Sequence, residues 1–481
     1  MSWNEKYEAV IGLEVHAQLA TNSKLFCGDS TTFGAAPNTH ISPITLGHPG
    51  TLPKTNKKAV EYAIRMGLAC GCGIEKNNYF ARKNYFYPDL PKGYQISQHT
   101  TPICKGGYVT IQSASGERNV QLNRIHMEED AGKSIHDLDE HFTCIDLNRA
   151  GTPLVEIVTE PDLFSADEAW LYVTEVRRLV RWIGICDGNM EEGSLRCDAN
   201  VSIRLKGETK LGTKVEVKNL NSIRNVKKAI EYEITRIVEL VEKGGKVQQQ
   251  TRSFDAATDT TFAIRDKEEA NDYRYFPDPD LAPFHLTDDF ISSVRAALPA
   301  LPADLKKKYQ VNYGLSTYDA GQLCDEKETT DFFALVIEHN NQYKAVANWI
   351  LGPIRQYLNE KGIGLRELGL SPVLLADLIK LVENGKVNFS VASSKILPSL
   401  IAGEGSPLAI AEKMNLLQVS NTNELEAWVN EALQTMPDKV IEYKKGKKGL
   451  IGLFVGEVKK RSKGKADPKL VTQLLERKLN N

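Results

Sequence analysis

Residues 124–133, RIHMEEDAGK, gather a histidine, three consecutive carboxylates, a glycine and a lysine into one short stretch. Because adjacent anions repel one another, a folded protein usually neutralises such a run with a cation. Carboxylate oxygens suit Mg²⁺, which in many sites also holds a nucleotide phosphate. The alternative is a solvated acidic turn, since most charge runs are simply exposed. Similar polar groups recur in the first half of the chain, which favours the metal-binding interpretation.

Residues 7–19, YEAVIGLEVHAQL, predict a buried strand from their apolar positions. Glu14 and His16 are two positions apart, so on a strand both project to one face. Such a strand could offer two metal ligands side by side. The alternative is a surface salt bridge.

Two later segments also predict strands with an ionic face. In residues 195–205 apolar residues alternate strictly with Arg196, Asp198, Asn200, Ser202 and Arg204. Residues 214–218 repeat the pattern, with Glu216 between two lysines. These strands predict either a cleft floor lined by carboxylates or an antiparallel sheet with one wet side.

Residues 81–98, ARKNYFYPDLPKGYQISQ, interleave basic residues with aromatic rings and prolines. This combination can hold phosphate and stack a base. The alternative is a proline-stiffened loop whose rings fill a core. The segment AGKS at 131–134 is not a Walker A motif, because Met127 occupies the position of the required first glycine.

The elements that must position these residues change character along the chain. With 481 residues, the chain predicts two to four domains. Strands and helices alternate at first, with strands predicted at 120–125 and 153–158, helices at 57–68, 165–183 and 222–244, and an extended proline-rich segment at 271–283. Beyond about residue 290 the pattern is helical and includes one helix over 343–361.

Composition excludes several classes of protein. No apolar run is long enough to cross a bilayer, and the first residues lack a signal peptide's basic start and apolar centre. The eight cysteines are scattered, which favours reduced thiols over a disulfide framework. We therefore expect a cytoplasmic protein without a membrane partner.

The formal net charge of −2 hides an asymmetry. Residues 437–481 contain thirteen Lys+Arg and five Asp+Glu, a charge of +8 that leaves −10 for the rest. A basic tail on an acidic body favours an anionic partner held at one end. A solubilising terminus would carry the same charge.

Eight blocks of the sequence, taken together and in order, resemble one family, the GatB subunit of aspartyl/glutamyl-tRNA(Asn/Gln) amidotransferase. The resemblance covers essentially the whole chain and is carried by VIGLEVHAQL, ARKNYFYPDLPKGYQISQ, RIHMEEDAGK, DLNRAGTPLVEIVTEPD, MEEGSLRCDANVSIR, VEVKNLNS, DYRYFPDPDL and KGKADPKLV.

The resemblance implies an α+β N-terminal cradle domain with a mixed or antiparallel sheet, then an all-α helical domain and a small all-α tail domain. The implied bounds are 1–290 for the cradle, 291–405 for the helical domain and 406–481 for the basic, tRNA-binding tail.

The implied enzyme is an ATP-dependent carbon–nitrogen ligase that works as a heterotrimer of GatB with the amidase GatA and the small protein GatC. In this family GatB phosphorylates the side-chain carboxylate of Glu-tRNA(Gln), Asp-tRNA(Asn) or both. Ammonia from the amidase then gives Gln-tRNA(Gln) or Asn-tRNA(Asn). Carboxylates with lysines and arginines suit such phosphoryl transfer, which needs positioning and charge neutralisation more than a protein nucleophile.

Matched position by position, the resemblance assigns catalysis and binding of Mg²⁺ and phosphate to Glu14, His16, Glu128, Glu129, Asp198 and Glu216. Of these, all but Glu128 are assigned as Mg²⁺ ligands. Since Mg²⁺ prefers oxygen, His16 would act through water or on a second cation. Contacts with ATP or the tRNA 3′ end are assigned to Lys83, Tyr85 and Arg149.

Many members of the family carry four cysteines in the early loop, and these bind structural zinc. The four positions are here Cys27, Asp29, Ser42 and Thr45, so we expect no zinc at this loop. A replacement site built from Cys27, Cys70, Cys72 and Cys104 is the alternative, although cysteine is usually a small buried apolar residue.

Two other functions compete with that of an amidotransferase component. A non-catalytic RNA-binding scaffold would use the basic tail and would tolerate Glu129→Gln, whereas a kinase-like site would lose activity while tRNA still binds. A free-standing carboxylate metallohydrolase would leave the basic tail unexplained.

Overall fold

The computed structural model describes residues 5–113, 116–266, 273–418, 422–462 and 465–480. The chain divides into two compact units, Met1–Leu301 and Pro302–Asn481. The first two residues of the predicted extended segment at 271–283 lie outside the described residues, as do residues 463 and 464 of the last family block.

All the strands found within the described ranges lie in the first unit. They are β1 Tyr7–Gln18, β2 Gly73–Ile74, β3 Asn77–Asn78, β4 Ala81–Asn84, β5 Tyr94–Ser97, β6 Cys104–Lys105, β7 Tyr108–Ser113, β8 Gly116–Glu129, β9 Lys133–Ile135, β10 Cys144–Asp146, β11 Pro153–Thr159, β12 Leu195–Leu205, β13 Val215–Leu220, β14 Gln250–Asp255, β15 Thr260–Asp266, β16 Phe276–Pro277 and β17 Phe284–His285.

The α-helices of the first unit are α1 Lys57–Ala69, α2 Ala166–Trp182, α3 Ile223–Glu242 and α4 Asp288–Ala296. The second unit is helical, with α5 Pro302–Tyr313, α6 Thr317–Leu323, α7 Lys327–Ile337, α8 Tyr343–Trp349, α9 Arg355–Lys361, α10 Pro372–Glu383, α11 Phe389–Val391, α12 Leu397–Ile401, α13 Pro407–Lys413, α14 Thr422–Thr435, α15 Pro437–Lys444, α16 Ile451–Arg461 and α17 Pro468–Asn480.

The main sheet of the first unit has the strand order β15-β14-β13-β12-β1-β11-β8-β5-β4-β16. Its pairs are antiparallel except β13 with β14, which is parallel, so the sheet is mixed. The long strand β1 lies in the middle, paired with β11 on one side and β12 on the other.

One face of this sheet is apolar because side chains alternate along each strand. In β1, Ile11, Leu13 and Val15 are fully buried. Helix α2 packs against β1, and α3 packs against β12 and β13. The opposite face is left to the polar residues of the same strands.

The second unit contains separate hydrophobic cores. One joins buried residues from Tyr309 to Ala411, and another joins those from Leu425 to Leu479. The predicted helix over 343–361 is α8 and α9 with a π-helical segment, Ile350–Ile354, between them. Pro353 lies in that segment, where it cannot donate a backbone hydrogen bond.

The predicted fold class is confirmed, since an α+β unit with a mixed sheet precedes a helical one. The strand predicted at 120–125 is longer and runs to Glu129. The domain bounds at 290 and 405 stay predictions. Within the described ranges, no helix is both long and apolar enough to cross a lipid bilayer.

Candidate active site

The polar face of five adjacent strands, β13-β12-β1-β11-β8, gathers the acidic residues. Strand register decides which of them meet, because directly opposed side chains on one face lie close together. Glu14 of β1 lies opposite Asp198 of β12, and His16 lies opposite Glu156 of β11. Glu156 in turn lies opposite His126 of β8.

These residues line a cleft of about 580 Å³ within the first unit. Its floor carries the acidic groups of the central strands. The remaining lining includes several rings and cations, namely Lys83, Tyr85, Tyr87, His99, Arg124, Arg196, Lys214, Lys218, Tyr273 and Tyr275.

The first acidic group of the floor, termed the histidine cluster, comprises His16, Glu128 and Glu156, whose ligand atoms lie within 4.8 Å of one another. His16 Nε2 is 3.5 Å from Glu128 Oε1 and 3.6 Å from Glu156 Oε2. His126 Nε2 approaches the same Glu156 oxygen at 3.2 Å. Two imidazoles therefore share two carboxylates.

Mutual charge keeps the histidine cluster ionised despite its burial. Burial alone would lower the pKa of His126, but the carboxylates of Glu156 and Glu128 outweigh it and raise this pKa to about 9. Burial would likewise raise the pKa of Glu156, but His126 and His16 hold it well below its usual value. A divalent cation would have to displace these protons.

The second acidic group, termed the carboxylate cluster, comprises Glu14, Asp198 and Glu216, with ligand atoms again within 4.8 Å. Lys218 neutralises it, with Nζ 2.5 Å from Asp198 Oδ2 and 3.7 Å from Glu216 Oε1. Burial would lower the Lys218 pKa, but Asp198 and Glu216 outweigh it and raise this pKa.

Polar neighbours orient the carboxylate cluster. Asn200 Nδ2 donates to Glu14 Oε1 at 3.0 Å, and Thr251 Oγ1 donates to Glu216 Oε2 at 2.8 Å. An all-oxygen set of this kind fits Mg²⁺, whereas the imidazole of the histidine cluster widens the choice to other divalent ions.

Glu129 is not brought to either cluster, although the sequence placed it with them. Adjacent residues of a strand point to opposite faces, so Glu128 enters the cleft and Glu129 leaves it. Its oxygens lie 2.5 and 2.6 Å from Lys92 Nζ, and it also accepts a hydrogen bond from the Ile96 N–H at 2.9 Å. It lines a separate cavity of about 220 Å³.

Arg149 also points away from the cleft lining. Its Nε donates to the Ala131 carbonyl at 2.9 Å and its Nη2 to the Gly132 carbonyl at 2.6 Å. It therefore holds the turn after β8. Asp130 in that turn accepts a hydrogen bond from Arg196 at 2.8 Å. Burial would raise the Asp130 pKa, but Arg196 and Arg149 outweigh it and lower this pKa.

Lys83 and Tyr85 do line the cleft, as the sequence predicted. Tyr85 donates its hydroxyl hydrogen to Gln95 Oε1 at 3.1 Å. Among the residues that the structure describes, no carboxylate lies within 4 Å of the charged nitrogens of Lys83 or Arg124. These two cations are thus without ion-pair partners in the described part of the cleft.

The four loop positions considered for zinc do not form a metal site. Thr45 Oγ1 donates to Asp29 Oδ2 at 2.5 Å and lies 3.4 Å from Cys27 Sγ. Burial raises the pKa of the Cys27 thiol, which opposes thiolate ligation. The Ser42 hydroxyl is buried without a hydrogen-bond partner among the described residues. One thiol, one carboxylate and two hydroxyls do not fit zinc.

Sequence reasoning missed Glu156, His126 and Arg124 as residues of the cleft. The signal for Glu156 was present, since strict alternation in PLVEIVT places it alone on the polar face of β11. For His126 it was its position two residues before Glu128 on one strand. No sequence signal indicated that β8 and β11 are adjacent.

Comparison with known proteins was made with this geometry in hand. A family model described as the GatB/GatE catalytic domain matches residues 9–292, and one described as the GatB domain matches residues 331–479. The first range contains every residue of the cleft described above.

Three curated relatives are each named as the GatB-type subunit of aspartyl/glutamyl-tRNA(Asn/Gln) amidotransferase. The protein of Geotalea uraniireducens is 50% identical over 478 residues, covering 99% of this chain and 100% of that protein. That of Geotalea daltonii is 50% identical over 477 residues, covering 98% and 99%. That of Oleidesulfovibrio alaskensis is 49% identical over 474 residues, also covering 98% and 99%.

Proposed function

This chain belongs to the GatB family of aspartyl/glutamyl-tRNA(Asn/Gln) amidotransferases, and from that premise we propose that it activates the side-chain carboxylate of an amino acid esterified to tRNA. ATP phosphorylates the glutamate of Glu-tRNA(Gln), the aspartate of Asp-tRNA(Asn), or both. Ammonia from a partner protein then converts the activated carboxylate into the amide.

The observation that carries this proposal is the composition of one cleft. Two acidic clusters share its floor, and the cations Lys83 and Arg124 lie in its lining without a described carboxylate partner. Phosphoryl transfer requires this combination, because catalysis there is mostly positioning and neutralisation of charge. On a merely solvated acidic surface, neighbouring cations would be expected to pair with the carboxylates beside them.

The reaction consists of two displacements. A carboxylate oxygen of the substrate attacks the γ-phosphorus of ATP, the bond to the bridging oxygen breaks, and ADP leaves with an acyl phosphate formed. Ammonia then attacks the carbonyl carbon, inorganic phosphate leaves, and the nitrogen loses a proton to give the amide. Phosphorylation is needed because oxide is too poor a leaving group for the unactivated carboxylate.

Each group of side chains has a part in the first displacement. Glu14, Asp198 and Glu216 would hold Mg²⁺, which when bound neutralises phosphate charge. His16 and Glu128 would hold a second cation or an ordered water, together with Glu156. Lys83 and Arg124 contact phosphate oxygens. Arg149 positions the turn that carries Asp130 rather than the nucleotide.

The partners follow from the family and from charge. The sequence lacks the Gly/Ser-rich signature of an amidase, so ammonia comes from a separate amidase, GatA, and the small protein GatC completes the heterotrimer. The tail, which carries +8, binds the tRNA. The cofactors are ATP and Mg²⁺ without zinc, and the complex acts in the cytoplasm.

The test uses this chain reconstituted with its GatA and GatC partners. Labelled ATP, Mg²⁺, ammonium and either Glu-tRNA(Gln) or Asp-tRNA(Asn) are supplied, and ADP and amidated tRNA are measured. We expect both products from wild type and neither from Glu128→Gln. Glu239→Gln, an exposed change on α3 away from the cleft, is the matched control.

Two results would contradict the proposal. The first is wild-type complex that binds tRNA yet forms neither product with either substrate, which would leave a non-catalytic scaffold. The second is full activity of Glu128→Gln, which would place the chemistry outside the histidine cluster.

A further inference from the structure

One wall of the cleft is aromatic and has no part in the two acidic clusters. This aromatic wall comprises His99, Tyr275, Tyr273 and Tyr85. The rings of His99 and Tyr275 are stacked, with centroids 4.1 Å apart and planes at 8°. Tyr273 meets Tyr275 and Tyr85 edge-to-face, at 6.1 and 6.0 Å.

The backbone holds this wall in place. Strand β16 pairs with β4, where Phe276 lies opposite Arg82. Asn84 Nδ2 donates to the carbonyls of Tyr273 and Arg274, at 3.2 and 2.9 Å. Arg274 has a φ of 45°, a left-handed conformation that turns the chain between the two tyrosines. The rings are therefore fixed by the sheet edge rather than free in a loop.

The wall is not a hydrophobic core. His99 is exposed, and Tyr85, Tyr273 and Tyr275 are half-buried. Burial and the nearby charges of Arg124, His126 and Lys83 lower the pKa of His99, so its imidazole is neutral at pH 7. Lys83 Nζ lies 4.8 Å from the Tyr273 ring centroid and 5.6 Å from that of Tyr85. Partly open rings beside an amine without a described carboxylate partner suit a ligand that is both aromatic and anionic.

We propose that the aromatic wall stacks the base of an adenosine, the nucleoside shared by ATP and by the 3′ end of tRNA. The inference rests on the proposed function and names the residues that bind this part of a substrate. His99 and Tyr275 supply the stacking surface, and Lys83 lies beside it to contact the attached phosphate. Recognition of the base and phosphoryl chemistry are thus carried by different walls of one cleft.

The test uses the reconstituted heterotrimer with His99→Ala, Tyr275→Ala and Tyr275→Phe. Tyr108→Ala is the matched control, since this tyrosine is similarly exposed on β7 but does not line the cleft. We measure kcat together with KM for ATP and for aminoacyl-tRNA. Binding of a fluorescent ADP analogue and of uncharged tRNA is measured without turnover.

Both alanine variants should raise KM, or weaken binding, about tenfold or more for one of the two adenosine-bearing substrates, because a base loses one stacking partner. Tyr275→Phe keeps the ring and should stay near wild type, as should Tyr108→Ala. An effect on ATP and ADP alone identifies the nucleotide as the ligand. An effect on tRNA alone identifies the terminal adenosine.

Unchanged KM and binding for both substrates in His99→Ala and Tyr275→Ala would overturn the inference. So would a loss of kcat with KM unchanged, since that would mark a structural or chemical role. The binding assays keep this test separate from the proposed function. If wild type binds ADP through these rings but produces no amidated tRNA, the proposed function fails and the stacking site stands.

Discussion

Glu156 of β11 lies directly opposite His16 of β1, and the two meet at 3.6 Å on the polar face of the sheet. The same carboxylate also faces His126 of β8, at 3.2 Å. Glu156 is thus the anion that two buried imidazoles share. Much of the charge balance of the histidine cluster depends on this one side chain.

Glu156→Gln should therefore destabilise the metal-free protein. With the anion gone, burial dominates and the pKa of His126 should fall from about 9. Because the pKa of His126 is raised above its unfolded value, the stabilisation is complete below about pH 6.5 and is lost as pH rises through about 9. We expect a loss of about 3 kcal/mol in unfolding free energy at pH 6, measured in chelator by urea denaturation.

The loss should shrink as pH rises from 6 to 9, and the His126 Cε1 proton followed by NMR should titrate at lower pH in the variant. Glu239→Gln serves as control, since Glu239 is exposed on α3 and paired with Lys243. An equal loss at every pH would contradict the assigned charge balance.

Asp198→Asn should weaken metal binding more than it weakens the fold. It leaves Glu14 and Glu216 in place but removes one ligand, and it releases Lys218 from its ion pair. We expect the Mg²⁺ concentration for half-maximal ADP formation to rise at least about tenfold. The measurement is a Mg²⁺ titration of the reconstituted complex. Asp255→Asn, on β14 outside the cleft lining, should not move the midpoint.

Asp29→Asn should loosen the early loop without any change in zinc content. Thr45 donates to this carboxylate, and its loss should cost about 1–2 kcal/mol of unfolding free energy. Burial would raise the pKa of Asp29, but its hydrogen bonds outweigh this and lower it. The stabilisation is therefore present above about pH 3.8 and is lost as pH falls through the lowered value.

Elemental analysis of the wild-type protein provides the second measurement on this loop. We expect well under one zinc per chain, and chelator should leave the melting temperature unchanged. Stoichiometric zinc with chelator-induced unfolding would contradict a metal-free loop. Converting Asp29, Ser42 and Thr45 together to cysteine should create zinc binding, since hydrogen bonds already link Cys27 to Thr45 and Thr45 to Asp29.

Charge reversal in the tail should weaken tRNA binding alone. Lys459 and Lys460 are exposed on α16, and replacing both with glutamate changes the local charge by four. We expect at least about a tenfold loss of tRNA affinity at low salt, decreasing as salt screens the charges. Filter binding at several salt concentrations measures it. Lys243→Glu, in the first unit, should have little effect.

The sequence predicted the chemistry of the cleft better than its membership. Glu14 and His16 were recognised because two-residue spacing on a strand fixes the face, and the same rule identified Asp198 and Glu216. The family resemblance drawn from the eight blocks is confirmed by the comparisons. The fold class followed from it and is confirmed as well.

The errors share one physical origin. Treating Glu128 and Glu129 as one acidic run ignored that neighbours on a strand point to opposite faces, so Glu129 was placed with the clusters. Glu156 was missed because the value of a lone carboxylate depends on which strands flank it. Strand order and register are long-range properties, and a local pattern carries no information about them.

The central strands that carry the acidic clusters are hydrogen-bonded on both sides, whereas the aromatic wall rests largely on β16, a two-residue strand at the sheet edge. A change in the floor disturbs pairing deep in the sheet, while a change at the edge disturbs little beyond itself. Selection can therefore act on the two separately. Descendants of this protein can vary which nucleoside they hold while the reaction they perform stays the same.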